Sequence, residues 1–118
     1  MQFFFSPYLE FIRKAVENLP GVTEKLCFET PAFYVGGKLF TRLKEDGETL
    51  AIHTADRDKW IKTDPETFFI TDHYLNSKYM LIALGLVQPS VLEMLLTEAW
   101  RIRASKKLLR ELDQRQDD

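Results

Sequence analysis

Lys38, Phe40, Arg42 and Lys44 stand at every second position of one stretch, and Phe33 and His53 come beside them if the chain folds back on either side. Cationic side chains alternating with aromatic rings on a sheet face suit nucleic acid. Lys and Arg hold phosphates while Phe rings stack on unpaired bases. The plainer alternative is a cross-strand pair, Phe33 with Phe40, covered by a loop, a helix or a second subunit, with ordinary solvated charges beside it. Arg103, Lys107 and Arg110 form a second basic set at helical spacing. That set can meet phosphate, or simply complement the negative end of a helix and keep it soluble.

Other chemistry finds little footing. The chain has no G-x-S-x-G, no P-loop and no H-E-x-x-H. His53, His73, Asp56 and Asp58 are the acid–base candidates, but two histidines among many carboxylates are background in a chain of this size. Cys27 is the single cysteine, so no intrachain disulfide forms, and Leu26 and Phe28 beside it favour a buried, inert thiol. A zinc site would need Cys27, both histidines and a carboxylate. The expectation is a protein that is not an enzyme and has no cofactor and no metal.

These side chains need strands to position them. In Pro31–Lys44, two apolar runs flank Gly36-Gly37, a pair that reaches positive φ without steric cost and suits a two-residue hairpin turn. Counting from that turn, Val35 faces Lys38, Tyr34 faces Leu39 and Phe33 faces Phe40. Alternation then puts Lys38, Phe40, Arg42 and Lys44 on one face with Phe33 and Val35, and Tyr34, Leu39, Thr41 and Leu43 on the other. One face reads as aromatic and basic, the other as aliphatic. A polar turn at Glu45–Glu48 leads into a strand at Thr49–Thr54, with Leu43 facing Leu50, Thr41 facing Ile52 and Phe40 facing His53.

Around this hairpin the sequence predicts a first helix capped by Ser6 and Pro7 and stopped at Asn18–Gly21. Strands follow at Val22–Phe28, Thr67–Thr71 and Lys78–Leu84, with a short helix at Ala55–Thr63. Pro89 starts one long final helix with Leu92, Leu95, Leu96, Ala99 and Trp100 on its apolar face, continued by Leu108, Leu109 and Leu112. Residues 114–118 are expected to fray. The fold class is α+β, an antiparallel sheet of about six strands packed on N- and C-terminal helices in two layers, with the other sheet face largely open.

The 118 residues suffice for a single domain, 1–118, and the net charge of −2 confines any nucleic-acid site to a local patch. No apolar run is long enough to span a bilayer, so no membrane partner is expected. MQFFFSP lacks the basic start and small-residue cleavage site of a signal peptide, which points to the cytoplasm.

LPGVTE (19–24), PAFYVGGKLF (31–40) and YMLIAL (79–84), followed by a helix with Trp100 and a basic turn, resemble the MmcQ/YjbR family of small bacterial proteins. The resemblance runs from the first helix to about Lys107, and PAFYVGGK is its most specific piece. It implies a compact frataxin-like fold and a DNA-binding role through a double-wing arrangement, with Gly36, Gly37 and Lys38 as wing residues. Two function classes follow. One is a non-enzymatic DNA- or RNA-binding protein using Phe33, Gly36, Gly37, Lys38, Phe40, Arg42, Lys44, Arg103 and Lys107. The other is a protein-partner or homodimer module using Phe33 and Phe40 as a hydrophobic patch.

Overall fold

The structure is a computed structural model describing residues 6–116. In chain order its elements are α1 (Leu9–Val16), β1 (Val22–Cys27), β2 (Thr30–Val35), β3 (Lys38–Leu43), β4 (Thr49–His53), α2 (Arg57–Thr63), β5 (Phe68–Phe69), β6 (Tyr79–Ala83), α3 (Pro89–Arg103) and α4 (Lys106–Gln116). A short 3-10 turn at Asp72–Tyr74 precedes β6.

The six strands form one open antiparallel sheet in the order β1-β2-β3-β4-β6-β5. The first four strands are a meander. The chain then passes through α2 to the far edge and returns, so β6 rather than β5 lies beside β4. The α+β class and the antiparallel six-strand sheet are as expected. Leu43 faces Leu50 and Thr41 faces Ile52, also as expected, but Phe40 does not face His53, because Phe40 turns into the core and His53 lies on the other face, paired with Tyr79.

The register expected between β2 and β3 is overturned. Val35 pairs with Lys38 and Tyr34 with Leu39, but Phe33 pairs with Thr41 and Ala32 with Arg42. Phe40 is an extra residue on β3, a β-bulge, and alternation counted straight through it fails. The bulge turns Phe40 to the same side as Phe33, Val35, Leu43, Leu50, Ile52, Met80 and Ile82, all of them in the core. Burying a Phe side chain contributes roughly 1.5–3 kcal/mol. A lost ladder hydrogen bond costs about 0.5–1.5 kcal/mol. The bulge is therefore favourable, and its backbone cost is recovered locally. The Leu39 carbonyl accepts from the Tyr79 hydroxyl at 2.9 Å and from Arg103 Nε at 3.1 Å.

Helices α1 and α3 cover this inner face, with Ile12, Val16, Leu92, Leu95, Leu96, Ala99 and Trp100 packed into it. Trp100 is fully buried, and its indole Nε1 donates to the Pro20 carbonyl at 2.9 Å. Helix α1 begins at Leu9, later than the Ser6-Pro7 start expected. Ser6 Oγ accepts from Tyr8 N and donates to the Gly47 carbonyl at 2.6 Å, so it ties the chain to the β3–β4 loop.

The single long final helix is also corrected. Ala104 is extended (φ −75°, ψ 150°), and the chain restarts as α4 with Ser105 Oγ accepting from Leu108 N at 3.3 Å. Serine favours such helix starts. Helix α4 continues through Gln116, so the end expected to fray from 114 is helical as far as it is described. Residues 117–118 and the N-terminal 1–5 lie outside the described residues.

Candidate functional site

The sheet face away from α1 and α3 carries Lys25, Cys27, Ala32, Tyr34, Leu39, Arg42, Ala51, His53, Tyr79 and Leu81, as the register and alternation require. It is not left bare. The segment after β5 folds across its middle and is pinned there by Arg57. The Arg57 guanidinium donates to the carbonyls of Tyr74 at 2.8 Å, Ser77 at 2.7 Å and Leu75 at 3.1 Å.

Between that segment and the sheet lies a cavity of about 230 Å³ whose walls include Phe28, Arg42, His73, Tyr74 and Tyr79. Cys27 also lines it and is half-buried, not sealed in the core as expected. Lys44 Nζ holds one wall, donating to the Tyr74 hydroxyl at 2.9 Å and lying 5.2 Å from its ring centre.

Another wall is a strained turn. Phe28 (φ 51°) and Glu29 (φ 68°) both occupy the left-handed region between the paired Cys27 and Thr30. A two-residue hairpin turn of this sign pattern usually takes Asn-Gly. Non-glycine residues held so cost of order 1–3 kcal/mol each and cluster at ligand clamps. Here the strain sets the Phe28 ring, 79% exposed, 5.3 Å from the Arg42 guanidinium carbon. At Gly36 (φ 57°) and Gly37 (φ 78°) the same turn geometry is free of strain, as the sequence predicts.

The predicted site residues are dispersed. Phe33 and Phe40 are buried in the core and face no ligand, because the bulge turns Phe40 inward. Gly36, Gly37 and Lys38 are exposed at the hairpin tip. Arg42 is 7% exposed and Lys44 half-buried, both on the outer face. Arg103 is half-buried against Leu39, and Lys107 is exposed on α4, across the helix break, so the two do not share one helix side. Only Arg42 and Lys44 of the nine flank the cavity. Phe28, Tyr74, Tyr79 and Arg57 were missed. The strand expected at Val22–Phe28 ends at Cys27, and Phe28 belongs to the turn, which the apolar run Leu26–Phe28 concealed.

The electrostatics are local. Glu45 Oε1 lies 3.3 Å from Arg42 Nη1, and its other oxygen lies 3.8 Å from Lys44 Nζ. The Glu45 carboxyl is held below its ordinary range by its own backbone N–H and then by Arg42. Asp46 also feels the Lys44 charge, so this corner gathers two cations and two carboxylates. His53, 6% exposed, stacks edge-on to Tyr79 with its Nδ1 buried and unpartnered. Burial first, then Arg103 and Lys78, pull its pKa below the ordinary 6.5. A histidine with a depressed folded pKa binds its proton more readily when unfolded, so it contributes stability above pH 6.5 that is lost as pH falls towards the folded value. The urea midpoint is expected to drop between pH 7 and pH 5. In His53→Phe that drop should shrink; an unchanged drop would place its origin elsewhere.

Among the described residues no helix is long and apolar enough to cross a membrane, and no group of three His, Cys, Asp or Glu side chains is placed to hold a metal ion. No curated protein matches the chain. Among solved structures, the crystal structure of the Deinococcus radiodurans protein DR2400, a DUF419 domain, is similar at 21% identity and a TM-score of 0.73, covering 89% of this chain and 87% of that one. That likeness carries the fold. The family model described as YjbR matches residues 17–102, which is most of the chain, and the protein belongs to the YjbR family.

Proposed function

We propose that the protein binds single-stranded nucleic acid, without catalysis, on the outer sheet face. The reading rests on one observation: Phe28, Tyr34 and Tyr74 share that face with Lys25, Arg42 and Lys44. Of the residues expected on the hairpin face only Arg42 and Lys44 belong to this set; its rings come from Phe28, Tyr34 and Tyr74. The exposed Phe28 ring would stack bases of any identity, flanked by half-buried Tyr34 and Tyr74, and exposed Lys25 with half-buried Lys44 would track the phosphates. The DNA-binding role that the resemblance implies agrees with this reading.

Anisotropy of labelled single- and double-stranded oligonucleotides at two salt concentrations tests it. Single strands should bind more tightly, with affinity falling steeply with salt. Lys25→Ala with Lys44→Ala should flatten the log–log salt slope by roughly 0.7 per lost phosphate contact. Phe28→Ala should weaken binding about tenfold or more, the worth of one stacked base. Flat traces, or binding indifferent to salt, would remove the proposal.

A protein-partner role no longer has Phe33 and Phe40 to use. Its place is the outer edge of β1, which no strand pairs among the described residues and where Leu26 (71% exposed) and Phe28 project. Edge strands of this kind accept a partner strand. Flat oligonucleotide traces together with Phe28-dependent self-association would favour that alternative.

A further inference from the structure

Arg42 is burdened unevenly. Every side-chain hydrogen bond it makes among the described residues leaves from Nη1, to Thr30 Oγ1 at 2.7 Å, Glu45 Oε1 at 3.3 Å, and the carbonyls of Cys27 and Leu43 at 3.4 Å. One nitrogen with two hydrogens thus serves four acceptors. Nε and Nη2, which carry the other three N–H groups, serve none among the described residues. Neither is sealed off: the one buried, unpartnered side-chain nitrogen or oxygen among the described residues is His53 Nδ1. Nε–H and one Nη2–H lie parallel in the guanidinium plane, the fork that matches two oxygens of a carboxylate or phosphate. A guanidinium only 7% exposed, with that edge free, lines the 230 Å³ cavity.

The cavity's other walls are flat and largely apolar: the rings of Phe28, Tyr74 and Tyr79 with Leu39 and Ala51. Its volume lies below the range of about 300–1,000 Å³ typical of drug-sized sites, so it suits a single ring or a fused pair. Arg42 and Lys44 share the Glu45 carboxylate, so neither cation is fully neutralised by it. We infer that this cavity binds a small planar aromatic monocarboxylate, its carboxylate on the Nε–Nη2 edge of Arg42 and its ring between Phe28 and Tyr74. The inference stands on the geometry of Arg42 and concerns a free small molecule, whatever the outer face does with a nucleic-acid strand. A mononucleotide offers the related chemistry of a ring with an oxyanion, and the test separates the two.

Amide chemical shifts of the full chain, followed during titration with indole-3-carboxylate, indole-3-carboxamide and uridine monophosphate, read the site directly. The acid is expected to bind and to shift the amides of Cys27, Phe28, Ala51 and Tyr79. The carboxamide, isosteric but neutral, should bind at least tenfold more weakly, as befits a charge-assisted pair worth about 1.5–3 kcal/mol. The nucleotide should bind more weakly than the acid. Arg42→Lys keeps the charge but loses the fork and should lose tenfold or more. Because Arg42 also braces Thr30, Phe28→Ala is a second variant at an exposed position; it should keep the fold and lose several-fold affinity for the acid. Equal binding of acid and amide, tighter binding of the nucleotide, no shifts at millimolar acid, or shifts away from the cavity would each overturn the inference. Oligonucleotide binding is read in a separate experiment, so acid binding with flat oligonucleotide traces leaves this site standing alone.

Discussion

Phe40→Glu is expected to leave no folded protein near neutral pH. Phe40 is fully buried among Phe33, Leu43, Ile52 and Met80 in the core cluster. Removing a buried Phe side chain alone costs about 3–5 kcal/mol. A carboxylate in its place has no cationic partner and must either ionise in an apolar site or bind a proton. The combined loss is on the order of the whole stability of a domain, roughly 5–15 kcal/mol. Circular dichroism and a urea titration check it, with Lys38→Glu at the exposed hairpin tip as the control. That control should stay within about 0.5 kcal/mol of the parent chain. Were Phe40 a surface patch, Phe40→Glu would fold normally and alter association only. A parent-like urea curve for Phe40→Glu would therefore refute the inward assignment and the bulge with it.

The second large effect lies at Trp100. Its ring fills the centre of the layer between α3 and the sheet, and its Nε1 bonds the buried Pro20 carbonyl at the start of β1. Trp100→Ala is expected to destabilise the fold by about 3–5 kcal/mol. Trp100→Phe separates the two contributions. It keeps most of the apolar volume but leaves the Pro20 carbonyl without its donor, a loss of about 1–3 kcal/mol. Urea unfolding followed by circular dichroism gives both values. A Trp100→Phe chain as stable as the parent would mean the hydrogen bond contributes nothing net.

Much of the architecture could be read from local chemistry. The Gly36-Gly37 turn announces itself because both residues need positive φ, and the apolar stripe of α3 has helical spacing. Leu43, Leu50 and Ile52 are inner-face residues because the β3–β4 register is regular. What alternation cannot report is an added residue. Straight counting put Phe33, Val35 and Phe40 outside, opposite the aliphatic face of Leu43 and its partners. Both sets are buried, and only a bulge lets one sheet face hold both. That apolar surplus on two faces was the available signal. The site was less legible for a different reason. Phe28, Tyr74 and Arg42 come from a strained turn, a 3-10 segment and a strand, and what unites them is the path of residues 72–78 across the sheet. Arg57 fixes that path through backbone carbonyls, which carry no sequence signature.

The Trp100–Pro20 bond also bears on how the protein is made. It spans 80 positions of sequence, and α3, which brings Trp100, follows every strand. On the ribosome the meander of β1–β4 and the β6 strand are complete before their cover exists. Leu43, Leu50, Ile52, Met80 and Ile82 then face outward with no helix from α3 over them. At the usual elongation rate of 5–20 residues per second, the 15 residues of α3 take about one to three seconds to appear. During that interval the nascent sheet offers a sticky surface to chaperones and to neighbouring chains.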